Sequence, residues 1–347
     1  MKKRIIYITL SAALLVTILA SLSIGAMPIP LKDILLMAVQ KMHLPVNYKT
    51  DAIYAGVIGN IRLPRTLLGL FTGAALGISG AAIQSVFRNP LAEPGLIGVS
   101  SGASLVAAFI IAMESVLFIQ ISNLLGHYLL ALGAFAGGAA AAFAVYQLSR
   151  SDGRPLTAIL LLAGIAINAL AGALTGLLSF VAGEQQLRSI TFWLLGSLAG
   201  ATWEAVWVVA PFITASLILI PRLAKPLNAF ALGEAQTNLL GMQADKVKTR
   251  VVLLTTLATG VSVAFTGIIS FVGLLVPHIL RLSAGTDNRF VLPASALLGA
   301  LTLTASDLLA RTIVAPLELP IGVVTALLGT PVFLYILIRD KKKLYHQ

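Results

Sequence analysis

Apolar residues run along this chain in stretches of about 20, broken by short polar segments, with no alternation of period two over the length of a strand. A helix needs about 20 residues to cross about 30 Å of hydrocarbon, and only helices or closed barrels satisfy their own backbone there. The pattern therefore predicts ten membrane-crossing helices, near residues 7–26, 64–84, 95–113, 127–148, 156–180, 204–221, 249–268, 271–283, 291–311 and 320–338. The fold class is an all-α membrane protein, with the whole chain, 1–347, forming a single transmembrane domain. The seventh and eighth helices share one run, "VVLLTTLATGVSVAFTGIISFVGLLVPHILRL", too long for one ordinary span and short for two. Gly267, Gly273 and Pro277 break it, so it reads as one crossing followed by a shorter, bent one.

Composition agrees with the pattern. With 58% hydrophobic and 11% charged residues, the chain is far more apolar than a soluble domain. An even number of crossings places both termini on one side, and the basic residues say which. Taking that side as cytoplasmic assigns it 17 of the 24 lysines and arginines, leaving Lys32, Lys41, Lys49, Arg62, Arg65, Arg188 and Arg311 outside. The net charge of +11 is thus a topology signal, scattered between apolar runs rather than gathered on a face for nucleic acid. Absence of cysteine excludes disulfides, thiolate metal sites and cysteine nucleophiles. The start, "MKKRIIYITLSAALLVTILASLSIGA", has the basic head and apolar middle of a signal peptide, but its apolar stretch is long for one and reads better as the first span.

Small residues crowd the helices, as in "GAALGISGAA", "GAFAGGAAAA" and "AGIAINALAGALTG". Glycine and alanine at three- and four-residue spacing let helix backbones approach closely in lipid, so these faces are expected to meet other helices. A faint echo between the second and third helices and the eighth and ninth has the look of an inverted repeat.

Four polar segments interrupt this picture. "RNPLAEPGLIGVSSGAS", Arg88 to Ser104, cannot sustain a helix through its prolines and glycines, so it is expected to pack inside the bundle, with no role derived for Glu93. "RLPR", Arg62 to Arg65, opens the second helix, and its two arginines either snorkel toward lipid phosphates or serve a role beyond topology. Asp307 and Arg311 lie four apart on one helix face, as a structural pair or, in the sharper reading, with Asp307 as a proton-coupling acid. The segment Pro221 to Arg250, with a coupling loop at about 222–248, carries Phe230, Leu232, Leu239 and Leu240 on short helices punctuated by Gly233 and Gly241. Such helices either dock a protein or lie flat on lipid; no lysine or arginine occurs between Asn228 and Asp245, which favours the protein.

Catalytic signatures are missing: there is no GK[ST] phosphate loop, no H-E-x-x-H and no G-x-S-x-G, so the chain reads as a non-enzyme. The histidines, His43, His127, His278 and His346, are too scattered for a metal site, and His278 is expected to bond within the bundle.

"RLPRTLLGLFTGAALGISGAAIQSVFRNPLAEPGLIGVSSGAS", "LLAGIAINAL", "ALGEAQTNLLG", "GIISFVGLLVPHILRL" and "ELPIGVVTALLGTPVFLYIL" together resemble the permease subunits of ABC importers for iron chelates, haem and vitamin B12, the FecCD family. The resemblance runs from Arg62 to Arg339. It implies a multi-pass protein of a prokaryotic plasma (inner) membrane that binds no cofactor and pairs with a second permease subunit, identical or related. Two cytoplasmic P-loop ATPases would bind the ATP, and an extracytoplasmic binding protein would deliver a ferric siderophore or haem, with cobalamin less favoured. Carried over residue by residue, the resemblance assigns ATPase coupling to Phe230, Leu232, Gly233, Glu234, Gln236, Leu239, Leu240 and Gly241. It assigns binding-protein docking to Arg62, Arg65 and Arg311, and a gate at the start of the fifth helix to Thr157 and Ala158, where only Thr157 keeps the hydroxyl of some relatives. Asn168 and Thr175 would face the pathway if that helix is rotated as in the family. The rival function is an ion-coupled secondary transporter using Asp307; an intramembrane enzyme is a distant third.

Overall fold

Helix formation follows the apolar runs closely, and what departs from them is where each helix ends. The computed structural model describes residues 1–41, 51–114, 126–151 and 154–344; His43, Lys49 and His346 lie outside the described residues. Among these residues seven helices are long and apolar enough to cross a membrane. They are α1 (Lys2–Ser23), α3 (Ala52–Phe87), α5 (His127–Leu148), α6 (Thr157–Val181), α8 (Trp203–Arg222), α11 (Ala244–Thr266) and α13 (Asn288–Ala310). Ten spans were expected, the eighth of them shorter and bent; the remaining three are the short helices α4 (Val99–Met113) and α12 (Val272–Ala284), and α14 (Ile321–Leu344), apolar to Ile336. The reason is local. The third run spends its first residues on a 3-10 turn, Pro94–Ile97, and on Gly98 at φ 90°. The eighth begins only after Gly267 and Phe271 have turned the chain at positive φ, so the shared run divides into a full crossing and a short helix carrying Pro277.

Among the described residues four further helices are shorter than any of these spans: α2 (Leu31–Lys41), α7 (Glu184–Leu195), α9 (Ala224–Ala229) and α10 (Glu234–Leu239). A two-residue hairpin pairs Arg150–Ser151 (β1) with Arg154–Pro155 (β2) and leads into α6. The second predicted helix also starts earlier than expected. Instead of opening at "RLPR", α3 begins at Ala52 and runs through Pro64 by way of a π-helical turn, Ile58–Arg62. Proline offers no N–H and its ring crowds the carbonyl one turn back, and the wider turn relieves both.

At 36 residues, α3 is the bundle's axis; 83% of its most apolar window is buried, against 11% for α1 and 17% for α6. It packs on α13, α11, α12 and α8. Two close crossings fix it. At Gly73, Gly77 and Gly299 the backbones of α3 and α13 interlock, and a Cβ on Gly77 would overlap the carbonyl oxygen of Ser295. At Gly80 a Cβ would overlap the carbonyl of Gly273 in α12. With no hydrophobic drive between helices in lipid, this contact area holds them together.

The segment after α3 packs inward as expected, with Ala92 and Ile97 fully buried. Arg88, in the left-handed region at φ 49°, caps α3, and the Asn168 amide of α6 donates to the carbonyl of Gly95 at 3.1 Å. Glu93 is half-buried there, and burial pushes its carboxyl above the usual carboxylate range. α1 lies along α13, its Tyr7 ring edge-on to Phe290 at 5.3 Å.

Gly77→Val is expected to lower the stability of the detergent-solubilised chain by about 1–3 kcal/mol through overpacking, read as a fall in the thermal aggregation midpoint. Gly56→Val, at a helical position with nothing within 4 Å, should leave the midpoint nearly unchanged. Equal midpoints for the two variants would contradict this account of the core.

Candidate functional site

α13 runs from Asn288 to Ala310, and functional candidates cluster beyond each of its ends. Beyond its start lie α9 and α10, tied to it where the Asn228 amide donates to Asp287 Oδ1 at 2.8 Å. Gly233 at φ 110° and Gly241 at φ 77° bracket α10, conformations that favour glycine. This short unit presents Leu232, Leu239 and Leu240 outward, 64%, 86% and 57% exposed, with Gln236 beside them. Phe230 was expected on the same surface and is instead fully buried, packed into the core. Its 3-10 turn, Phe230–Leu232, makes it the anchor of the segment rather than part of the outer face.

Glu234 also turns inward. Its Oε1 accepts the hydroxyl of Thr157, the first residue of α6, at 2.5 Å, and its Oε2 accepts Lys248 Nζ at 2.9 Å. Lys248, 1% exposed, donates as well to the Pro155 carbonyl of β2 and sits 3.1 Å from Asp245. Burial works against the charged Glu234, but the bonds from Thr157 and Lys248 outweigh it and hold the carboxyl below its usual range. Sequence reasoning missed Lys248, because nothing local marks it among the neighbouring Lys246 and Arg250.

α6 is the least covered span after α1. Leu162, Ile165, Leu170 and Phe180 are 66%, 58%, 58% and 86% exposed, and Ala158 shares their open side. Thr175, proposed for a pathway-facing position, is turned into the bundle instead, 7% exposed, its hydroxyl spent on the Ala171 carbonyl at 2.7 Å. Asn168 is half-buried and engaged with Gly95. The rotation of α6 follows from Gly164, where a Cβ would overlap the Leu96 carbonyl, so this face lies against the loop after α3.

Beyond the other end of α13 lie the three arginines, all drawn inward. Arg62, 4% exposed, donates to the carbonyls of Leu22, Ser23 and Met27, capping the end of α1. Arg311 donates to the Ser21 carbonyl at 2.6 Å and lies 3.5 Å from Asp307, confirming the expected pair. The closer partner of Asp307 is Arg65, which reaches it through Nε at 3.0 Å and a terminal nitrogen at 2.8 Å while holding Glu318 at 2.8 Å. Glu318, 40% exposed, was not singled out in the sequence. Arg65 and Arg311 share the two carboxylates while Arg62 pairs with neither, so three guanidiniums against two carboxylates leave the patch a positive balance.

This geometry has close counterparts. A solved structure described as a metal-chelate type ABC transporter in an inward-facing conformation superposes with a TM-score of 0.83 at 29% identity, covering 97% of this chain and 99% of that one. The hemin transport system permease protein HmuU of Yersinia pestis is 44% identical over 82% of this chain and 84% of its own length. The cobalamin import system permease protein BtuC of Halobacterium salinarum is 36% identical over 95% of this chain and 94% of its own. The model of the FecCD transport family matches residues 13–339, and the chain belongs to that family.

Proposed function

We propose that this chain is one half of a permease pair that carries a ferric chelate or haem from an extracytoplasmic binding protein into the cytoplasm, its seven long and three shorter apolar helices crossing the membrane with both termini inside. The family sets the frame: a multi-pass inner-membrane permease subunit of an ABC importer for iron- or B12-type chelates, binding no cofactor itself and driven by ATP used on separate ATPase subunits. Haem is favoured as cargo by the similarity to the hemin permease.

The observation that carries the coupling role is the exposed leucine surface of α10, held on a glycine-bounded unit that is bonded directly to the first turn of α6. Two ATPases, one under each subunit, would receive Leu232, Leu239 and Leu240, and their closure would move α10 and switch the side to which the pathway opens. The open face of α6 is left for the pathway and the second subunit, with Thr157 and Ala158 at its entrance. At the other end the binding protein would offer acidic side chains to Arg65 in competition with Glu318, while Arg62 and Arg311 hold the surface in place.

The reading of Asp307 as an ion-coupling acid is disfavoured by its setting, 2% exposed and between two guanidiniums. A buried carboxylate so placed holds structure together.

Three outcomes are expected. Leu239→Glu combined with Leu240→Glu should weaken ATPase co-purification about tenfold or more, from the lost burial of two leucines, with the permease still folded. Glu318→Gln should tighten binding-protein association about two- to fivefold at low salt and Arg65→Gln should loosen it, both effects shrinking as ionic strength rises; salt-independent affinities would count against docking there. Asp307→Asn should cost about 3–5 kcal/mol of stability by leaving guanidiniums unpaired, and wild-type transport in vesicles should stop on ATP depletion, whereas uptake that persists without ATP would restore the secondary-transporter reading.

A further inference from the structure

A helix of six residues does not hold itself together, so α10 must be positioned by what it touches. Its outward side is given over to leucine, and on its inward side two side chains tie it to other elements: Asn238, whose Oδ1 accepts the Ala244 N–H of α11 at 2.9 Å, and Glu234, which alone of the two also reaches α6. Glu234 divides its two oxygens between different elements, one accepting from the head of α6 at Thr157 and the other from Lys248 in the first turns of α11. Lys248 then closes the circuit through the Pro155 carbonyl, two residues before α6 begins, and through Asp245. Three elements thus meet at one nearly dry ammonium group, α10, α11 and β2, and Glu234 links α6 to it through Thr157. The Lys248 side chain is 2% exposed, so the attraction is far less screened than in a surface pair, and separating its members would strand a buried charge.

We infer that the Thr157–Glu234–Lys248 network is the joint through which displacement of α10 reaches the pathway helix, with Glu234 and Lys248 acting as positioning residues for the entrance of α6. The inference rests on the proposed docking of ATPases to α10 and adds which atoms carry the motion. Glu234 and Leu239 share one short helix but work in opposite directions, since Leu239 meets the partner and Glu234 passes the movement inward.

The chain contains no cysteine, so Leu162→Cys, on the open face of α6 and 66% exposed in the parent, gives a single reporter whose rate of thiol labelling follows α6 without any cargo. In the complete permease–ATPase complex in nanodiscs, the rate is compared between the nucleotide-free state and the state trapped with ATP and vanadate. Lys248→Met and Thr157→Val, each in the reporter background, should shrink the nucleotide-dependent change in rate about fivefold, the scale of substitutions along a coupling route. ATPase co-purification should stay at the parental level. The double variant should be no worse than the stronger single one, because both cut the same connection. Thr157→Val removes only a hydroxyl and leaves the ion pair intact, so it carries the test should Lys248→Met fail to fold. An undiminished nucleotide response with ATPases still bound would overturn the joint and leave the docking proposal standing. Loss of the ATPases in Lys248→Met would also overturn it, since the pair would then merely shape the docking surface. A parent reporter blind to nucleotide with ATPases bound would also overturn the joint, because α6 would not follow them, whereas ATPases that ignore Leu239→Glu would bring down the docking proposal itself.

Discussion

A helix that ends in or near hydrocarbon leaves carbonyl groups that water reaches poorly, and the arrangement of this chain depends on how those groups and the charges beside them are satisfied. Arg62 answers the carbonyls at the end of α1 from a widened turn of α3, and Arg311 answers that of Ser21 from the end of α13. Asp307 then offsets the charge that two of the three arginines bring into the cluster, lying within reach of both Arg65 and Arg311. Segments separated by as many as 290 residues are thereby fixed to one another at one end of the bundle. Removing any member would leave a buried charge or an uncapped helix, so these residues act together.

Behind that cluster the helices sort into a packed group and an open one. α3 meets α13 and α12 at glycines that allow backbone against backbone, and such contacts do not deform by small degrees. α6, by contrast, touches the rest of the chain through Gly164, Leu160, Ala171 and Thr175 and leaves most of its surface uncovered. A rigid group beside a lightly held span is the division that alternating access needs, because one part must move while the other keeps the membrane sealed.

The end of the bundle that carries α10 follows the same logic. Leucines there are exposed and the Glu234 carboxylate is turned inward, the reverse of an ordinary soluble loop. Under the proposed docking the apolar side chains would supply affinity, whereas the bonds of Glu234 would supply direction, since they tie a short helix to the start of α6 and the base of α11. Neither function could be served by Phe230, which is spent on anchoring the segment to the core.

The amino-acid sequence by itself determined that this is a helical membrane protein, where its spans lie, and that the run shared by α11 and α12 divides at Gly267. These are properties of period, length and composition, carried by neighbours along the chain. Tertiary structure decided the rest: that the third run opens on a 3-10 turn and yields a short helix, that Arg65 and not only Arg311 holds Asp307, that Phe230 and Thr175 face inward, and that Glu234 joins Thr157 to Lys248. Each of those outcomes is a choice of partner across the fold, 242 residues apart for Arg65 and Asp307 and 77 for Thr157 and Glu234. Local pattern fixes which residues can bear the cost of burial only in company, and the packing of α3, α6, α11 and α13 fixes which company they find.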